Sequence, residues 1–130
     1  MVLVESSVFI QVQRLPSSNE AIELGALLTS GEAAVTGPVI MEYLRGARSM
    51  EELEFLSERI LSVDCLEMDP ATWVVAGRLS NHLRRSGEVM TDLDVAIAAT
   101  AIRHNVPLYT LDSDFDRIPE LVLYQPTQGR

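Results

Sequence analysis

TDLDVAIAATAIRHNVPLYTLDSDFD, residues 91–116, is the stretch that decides how this chain folds. From Val95 to Ile102 almost every residue is apolar or small. A helix that is apolar on nearly all sides is a buried one, so this segment is expected at the centre of the core. It opens on two acids, Asp92 and Asp94, and stops at His104-Asn105. Val106–Thr110 comes next, with the composition of a short buried strand. Asp112, Asp114 and Asp116 lie directly after it. In open parallel sheets, functional groups gather beyond the carboxyl ends of the strands. An acidic helix start and an acidic strand end in one unit therefore predict a cation site, provided the two meet in space.

Upstream of this unit, Asp69-Pro70 is a cap followed by proline and predicts a helix reaching about Arg85, closed by Ser86-Gly87. Ser49-Met50-Glu51-Glu52 is a capping box for a helix to about Leu61. Gly37-Pro38 starts another helix, on which Glu42 and Arg45 fall one turn apart. Glu20–Leu28 reads as a helix, and Ser6-Ser7 as the cap of a helix from Val8 to about Arg14. Strands are expected at Val2–Val4, ending on Glu5, at Ala33–Thr36, weakly at Val63–Met68, and at Leu121–Tyr124. The tail from Gln125 to Arg130 is expected to be mobile. Strands that alternate with helices imply a parallel sheet covered on both faces, with right-handed connections that place the strand ends on one rim.

The totals narrow the class. At 130 residues the chain is expected to form one domain, 1–130, and its 47% apolar content suits a globular core. A single cysteine, Cys65, excludes an internal disulfide and points to a reducing, cytoplasmic setting. The N-terminus has no basic region and Glu5 interrupts its apolar run, so no secretory leader is expected, and no run is long enough to span a membrane. A net charge of −9 argues against a protein that coats nucleic acid, but not against an enzyme that approaches it through bound cations. The chain contains no lysine, so all fixed positive side chains are arginine.

Glu5, Glu42, Asp94 and Asp112 stand where the rim should be. Hard divalent cations prefer such carboxylate oxygens, and ions held there can assist phosphodiester cleavage. Each acid also has a plainer reading. Asp94 lies three residues after Thr91 and completes a capping box, and Glu42 has Arg45 or Arg48 for an ion pair. Asp112 and Asp114 suit a turn that accepts backbone bonds. Glu5 is the hardest to explain away, because a charge ending a buried strand is costly unless it faces a rim or a partner. It is the joint placement that favours a site. His82, His104 and Cys65 show no metal-ligand spacing, and there is no glycine-rich phosphate loop or serine elbow.

At these residues the sequence resembles the PIN domain, specifically the VapC-type toxin ribonucleases. The resemblance is carried by DVAIAATAIRH at 94–104 and LYTLDSDFDRI at 108–118, with MEYLRGA at 41–47 and VLVESSVFI at 2–10. It implies an α/β fold, a PIN-like three-layer α/β/α sandwich with a small parallel sheet flanked by helices. It also implies metal-dependent cleavage of RNA with Mg2+ or Mn2+. Glu42, Asp94 and Asp112 match the family's acids, Asp114 is a further contributor, and Ser7 and Thr110 match hydroxyl residues that support the site. The metal-binding set so implied is Glu5, Asp94, Asp112 and Asp114. Family members are usually homodimers, inhibited by a VapB-like antitoxin. One position departs from the pattern: the family has aspartate where Glu5 ends the first strand, and magnesium tolerates little ligand displacement.

The reading is therefore a metal-dependent ribonuclease toxin acting through Glu5, Glu42, Asp94 and Asp112. Arg45, Arg84 and Arg85 are candidates for holding the RNA backbone. The alternative is a PIN-fold module, impaired by Glu5, that binds RNA or antitoxin without turnover. A phosphotransfer domain also clusters acids at strand ends, but it calls for a lysine that this chain lacks.

Overall fold

The computed structural model describes residues 1–127. Its elements alternate as expected: β1 (Val2–Val4), α1 (Ser6–Arg14), α2 (Asn19–Thr29), β2 (Ala33–Val35), α3 (Gly37–Arg45), α4 (Met50–Leu61), β3 (Asp64–Cys65), α5 (Pro70–Arg85), α6 (Asp92–His104), β4 (Leu108–Tyr109) and a 3-10 turn at Ser113–Arg117. The strands form one parallel sheet in the order β3-β2-β1-β4, flanked by the helices as an α/β sandwich. β1 lies inside the sheet, with Val2 beside Ala33 and Val4 beside Tyr109. Its three residues are all buried, which is why it reads as an unbroken apolar run. At the other edge, β3 exposes both its residues, and the charge of Asp64 discourages further pairing.

α6 is the buried helix its composition predicts: every residue from Val95 to Ala101 is buried. Four of these seven are alanine, and such small side chains allow close approach to neighbouring elements. Thr100 is buried without penalty because its hydroxyl donates to the Ala96 carbonyl at 2.8 Å. Asn105 ends the helix in the left-handed conformation (φ 54°), and Val106 N–H then reaches back to the Ala101 carbonyl at 3.1 Å. α5 pairs with α6 as a helical hairpin. Asp69 caps α5 by accepting from Thr72 N–H at 2.9 Å and meets Arg103, from the last turn of α6, at 3.5 Å.

Three expectations need correction. The first helix starts at Ser6, and its cap is the Glu5 side chain, which accepts from Ser7 N–H; the serines are inside the helix. Leu121–Tyr124 forms no strand, only a single parallel bridge between Leu123 and Leu108: Leu121 N–H turns back to the Ile118 carbonyl, and Val122 and Tyr124 alone bond the backbone of Leu108. The segment Val63–Met68 pairs only at Asp64–Cys65. The tail from Gln125, expected to be mobile, is held at Thr127, which donates to the buried carboxylate of Glu23 on α2, as Tyr124 just before the tail also does. Residues 128–130 of that tail lie outside the described residues. Among the described residues no helix is long and apolar enough to cross a membrane.

The left-handed Asn105 yields a direct test. Asn105→Ala is expected to lower unfolding free energy by about 1 kcal/mol, whereas Asn105→Gly leaves it nearly unchanged. Urea unfolding followed by circular dichroism measures both.

Candidate active site

The carboxyl ends of β1 and β4 lie side by side in the sheet, and the site is built from the residues just beyond them. Glu5 is 5% exposed, so its carboxylate must be satisfied by the protein. Its Oε1 accepts from the Ser7 hydroxyl at 2.5 Å and the Thr110 hydroxyl at 2.5 Å, and its Oε2 accepts from Ser7 N–H at 3.1 Å. Both hydroxyls accept in turn from the loop after β4: Leu111 N–H donates to Ser7 Oγ at 2.9 Å, and Asp112 N–H donates to Thr110 Oγ1 at 3.0 Å. Two short relays thus run from the backbone of the acidic loop to Glu5, and they fix where Asp112 begins. Ser7 and Thr110 thus both hydrogen-bond Glu5.

Glu42 projects from α3. Its Oε1 accepts from the Ser6 hydroxyl at 2.7 Å, while Arg45 stands 3.9 Å from its Oε2. Ser6 holds a site acid although it reads in sequence as half of a capping pair; the one signal for it was its place beside Glu5. Asp94 is half-buried at the start of α6, with its N–H on the Thr91 hydroxyl at 3.2 Å. Burial, and then the charges of Glu5, Asp112 and Glu42, push its carboxyl above the ordinary aspartate value, and the Thr91 bond offsets this only in part. All three other acids therefore act on Asp94, which places the four together in one electrostatic field.

Asp112 caps the 3-10 turn by accepting from Asp114 N–H at 2.9 Å, and Phe115 anchors the turn in the core. Asp114 points its Oδ1 at Arg117, 3.2 Å away. Arg117 had no role in the sequence reading, because nothing in the run DFDR reveals which distant loop its guanidinium reaches. Asp116 is exposed, as a surface acid should be. Of the candidate RNA-holding arginines, Arg45 faces Glu42, while Arg84 and Arg85 are exposed in the last turn of α5.

Oxygen donors make up the whole set, carboxylates with serine and threonine hydroxyls, and this is the chemistry of a hard divalent cation. Among the described residues no group of three or more Asp, Glu, His or Cys side chains stands close enough to hold a metal ion as placed. The arrangement fits an ion such as magnesium, which is commonly bound through one or two carboxylates and keeps part of its water shell.

The PIN domain family model matches residues 2–121. The chain is 31% identical, over 134 residues and the full length of both proteins, to Ribonuclease VapC11 of Mycobacterium tuberculosis and equally to a VapC ribonuclease of Mycobacterium bovis. Its fold matches that of VapBC2 from Rickettsia felis, solved bound to a promoter DNA fragment, with a TM-score of 0.82 at 22% identity, covering 95% of this chain and 98% of that one. DNA-bound VapBC from Salmonella typhimurium gives 0.81 at 20% identity, covering 95% of this chain and 96% of that one. Ribonucleases of the PIN class are in general dependent on a divalent metal. A match across nearly the whole chain, with the acids gathered on one rim, leads to one conclusion: the chain belongs to the PIN domain family, among the VapC ribonucleases.

Proposed function

We propose that this chain is a metal-dependent ribonuclease, the toxin of a toxin–antitoxin pair. The observation that carries the proposal is the convergence of Glu5, Glu42 and Asp112 on Asp94, in a fold whose full-length relatives bear the name ribonuclease. Glu5, Asp94 and Asp112 would hold the cation, Mg2+ or Mn2+, with Glu42 beside them. When bound, that ion supplies Lewis acidity and neutralises charge at the scissile phosphodiester. The chain's own part is orientation. Ser7 and Thr110 hold Glu5, Ser6 holds Glu42, and the first turn of α6 aims Asp94. The exposed Arg84 and Arg85 are assigned to the RNA backbone, with Arg45 shared between that duty and Glu42.

The partner we assign is a VapB-like antitoxin, and the active form a homodimer in the cytoplasm. Support comes from the VapBC complexes among the structural neighbours and from large apolar side chains left exposed, Met41, Phe55, Trp73 and Val74 among them. The alternative, a module that binds without cutting, is not favoured, since the relatives matched over their full length are named as ribonucleases.

RNA cleavage by the purified chain, with Mg2+, with Mn2+ and with chelator, tests the function. The expected outcome is metal-dependent cutting that Asp94→Asn lowers about a hundredfold or more, with Glu5→Asp active. Cutting by Glu5→Asp alone would mark this chain as an impaired form, and no cutting by either against a broad RNA panel would point to the binding module.

Stability gives a second test. Because the folded protein holds the Asp94 carboxyl above the ordinary value of 3.8, the contribution of this one group to stability is most favourable below that value and is lost as pH rises through the folded one. Asp94→Asn is therefore expected to raise the metal-free Tm at pH 7, with the advantage vanishing as pH falls below that range. Thermal unfolding in chelator across pH 3–8 reads it.

A further inference from the structure

One side chain joins the loop that leads into α6 to the turn that comes after β4. The Arg117 guanidinium donates to the Val89 carbonyl at 2.7 Å and to Asp114 Oδ1 at 3.2 Å, and its Nε lies 3.4 Å from Glu88 Oε2. Its partners come from two segments far apart in sequence. Glu88 and Val89 lie shortly before Thr91, which caps the helix carrying Asp94. On the other side, Asp114 takes its own place from Asp112, whose Oδ1 its N–H bonds at 2.9 Å. The start of that loop is also fixed, since Gly87 takes a positive φ of 76° and Glu88 N–H returns to the Leu83 carbonyl at 2.8 Å. The guanidinium therefore spans the two segments that bear Asp94 and Asp112, at a point where like charge pushes those segments apart.

We propose that Arg117 is a positioning residue that sets the spacing of Asp94 and Asp112 for a divalent cation. Asp114, in this arrangement, seats Arg117 and does not itself bind the ion. The inference rests on the ribonuclease reading of the same site. It depends on the shape of the guanidinium as well as its charge: three contacts in different directions suit a planar fork with five donors, and a lysine ammonium at the end of a flexible stem cannot reproduce them. Ion pairs this exposed add little to global stability, so a merely structural Arg117 would be nearly silent in every readout.

Mn2+ binding to the purified full chain, followed by electron paramagnetic resonance of the free ion, tests this without relying on turnover. Wild type is compared with Arg117→Lys, Glu88→Gln, Asp114→Asn, the double variant Arg117→Lys/Asp114→Asn and Asp94→Asn, and each variant's Tm is taken in chelator to confirm that it folds. Arg117→Lys is expected to bind Mn2+ about tenfold more weakly or worse at nearly unchanged Tm, Glu88→Gln less so, and RNA cleavage by Arg117→Lys should recover as Mn2+ is raised. Asp114→Asn should weaken binding no more than Arg117→Lys does, with the double variant no weaker than Arg117→Lys, since Asp114 acts only through Arg117. Multiplying losses would make Asp114 a ligand in its own right and overturn its assigned role. If wild type outbinds Asp94→Asn but Arg117→Lys equals wild type, the proposal for Arg117 fails alone. If wild type binds no better than Asp94→Asn, the metal reading of the site fails and this inference falls with it.

Discussion

A carboxylate buried at the end of the first strand is the constraint that shapes most of this structure. Ending a buried strand on Glu5 places a charge where water cannot serve it, and such a group must be hydrogen-bonded or it destabilises the fold. The chain meets that demand with Ser7 from the next helix and Thr110 from the far strand. The same bonds cap α1 and connect β1 to the loop after β4. Satisfying one buried acid thus fixes the start of a helix, the departure of the chain from β4, and the position from which Asp112 enters the rim.

Around that anchor the protein assembles like charges. Glu42 is steadied by Ser6 and faced by Arg45, Asp112 caps its own turn, and Asp94 sits half-buried within reach of their charge. The gathering of like charge does not favour the metal-free fold: bringing carboxylates together raises the free energy of their ionised forms, and a divalent cation would offset it. The strong hydrophobic scaffold bears the cost. A seven-residue stretch of α6 is buried throughout, and the sheet beside it is anchored by Leu3, Val4 and Leu108, all fully buried. The apolar composition of that helix and the acids at its start are therefore two parts of one arrangement, the first holding the second in place.

Much of this could be read from residue types and spacing. Asp69-Pro70 placed α5, with its end at Arg85, because a cap and a proline act locally, and α6 declared itself through a run with no polar face. The positions of Glu5 and Asp112 just beyond β1 and β4 were legible because parallel topology sends strand ends to one side. The features that escaped depend on contacts across the fold. Ser6 and Ser7 looked like a cap because cap chemistry is shared by serine and glutamate, and only the β-strand before them decides which residue turns the corner. Leu121–Tyr124 has the apolar character of a strand, yet it bridges only at Leu123, since the Leu121 N–H is used by the turn before it. Arg117 gives no local sign of its reach to Val89, 28 residues earlier in the chain.

The proposed chemistry requires that four acids from separate elements form one divalent-cation site. Diffraction from crystals of the chain grown with Mn2+, recorded at wavelengths that reveal manganese by its anomalous signal, shows whether they do. An anomalous peak is predicted on the rim among Glu5, Glu42, Asp94 and Asp112, lost in crystals of Asp94→Asn. A protein saturated with Mn2+ whose rim shows no peak, or whose manganese lies elsewhere, would contradict it.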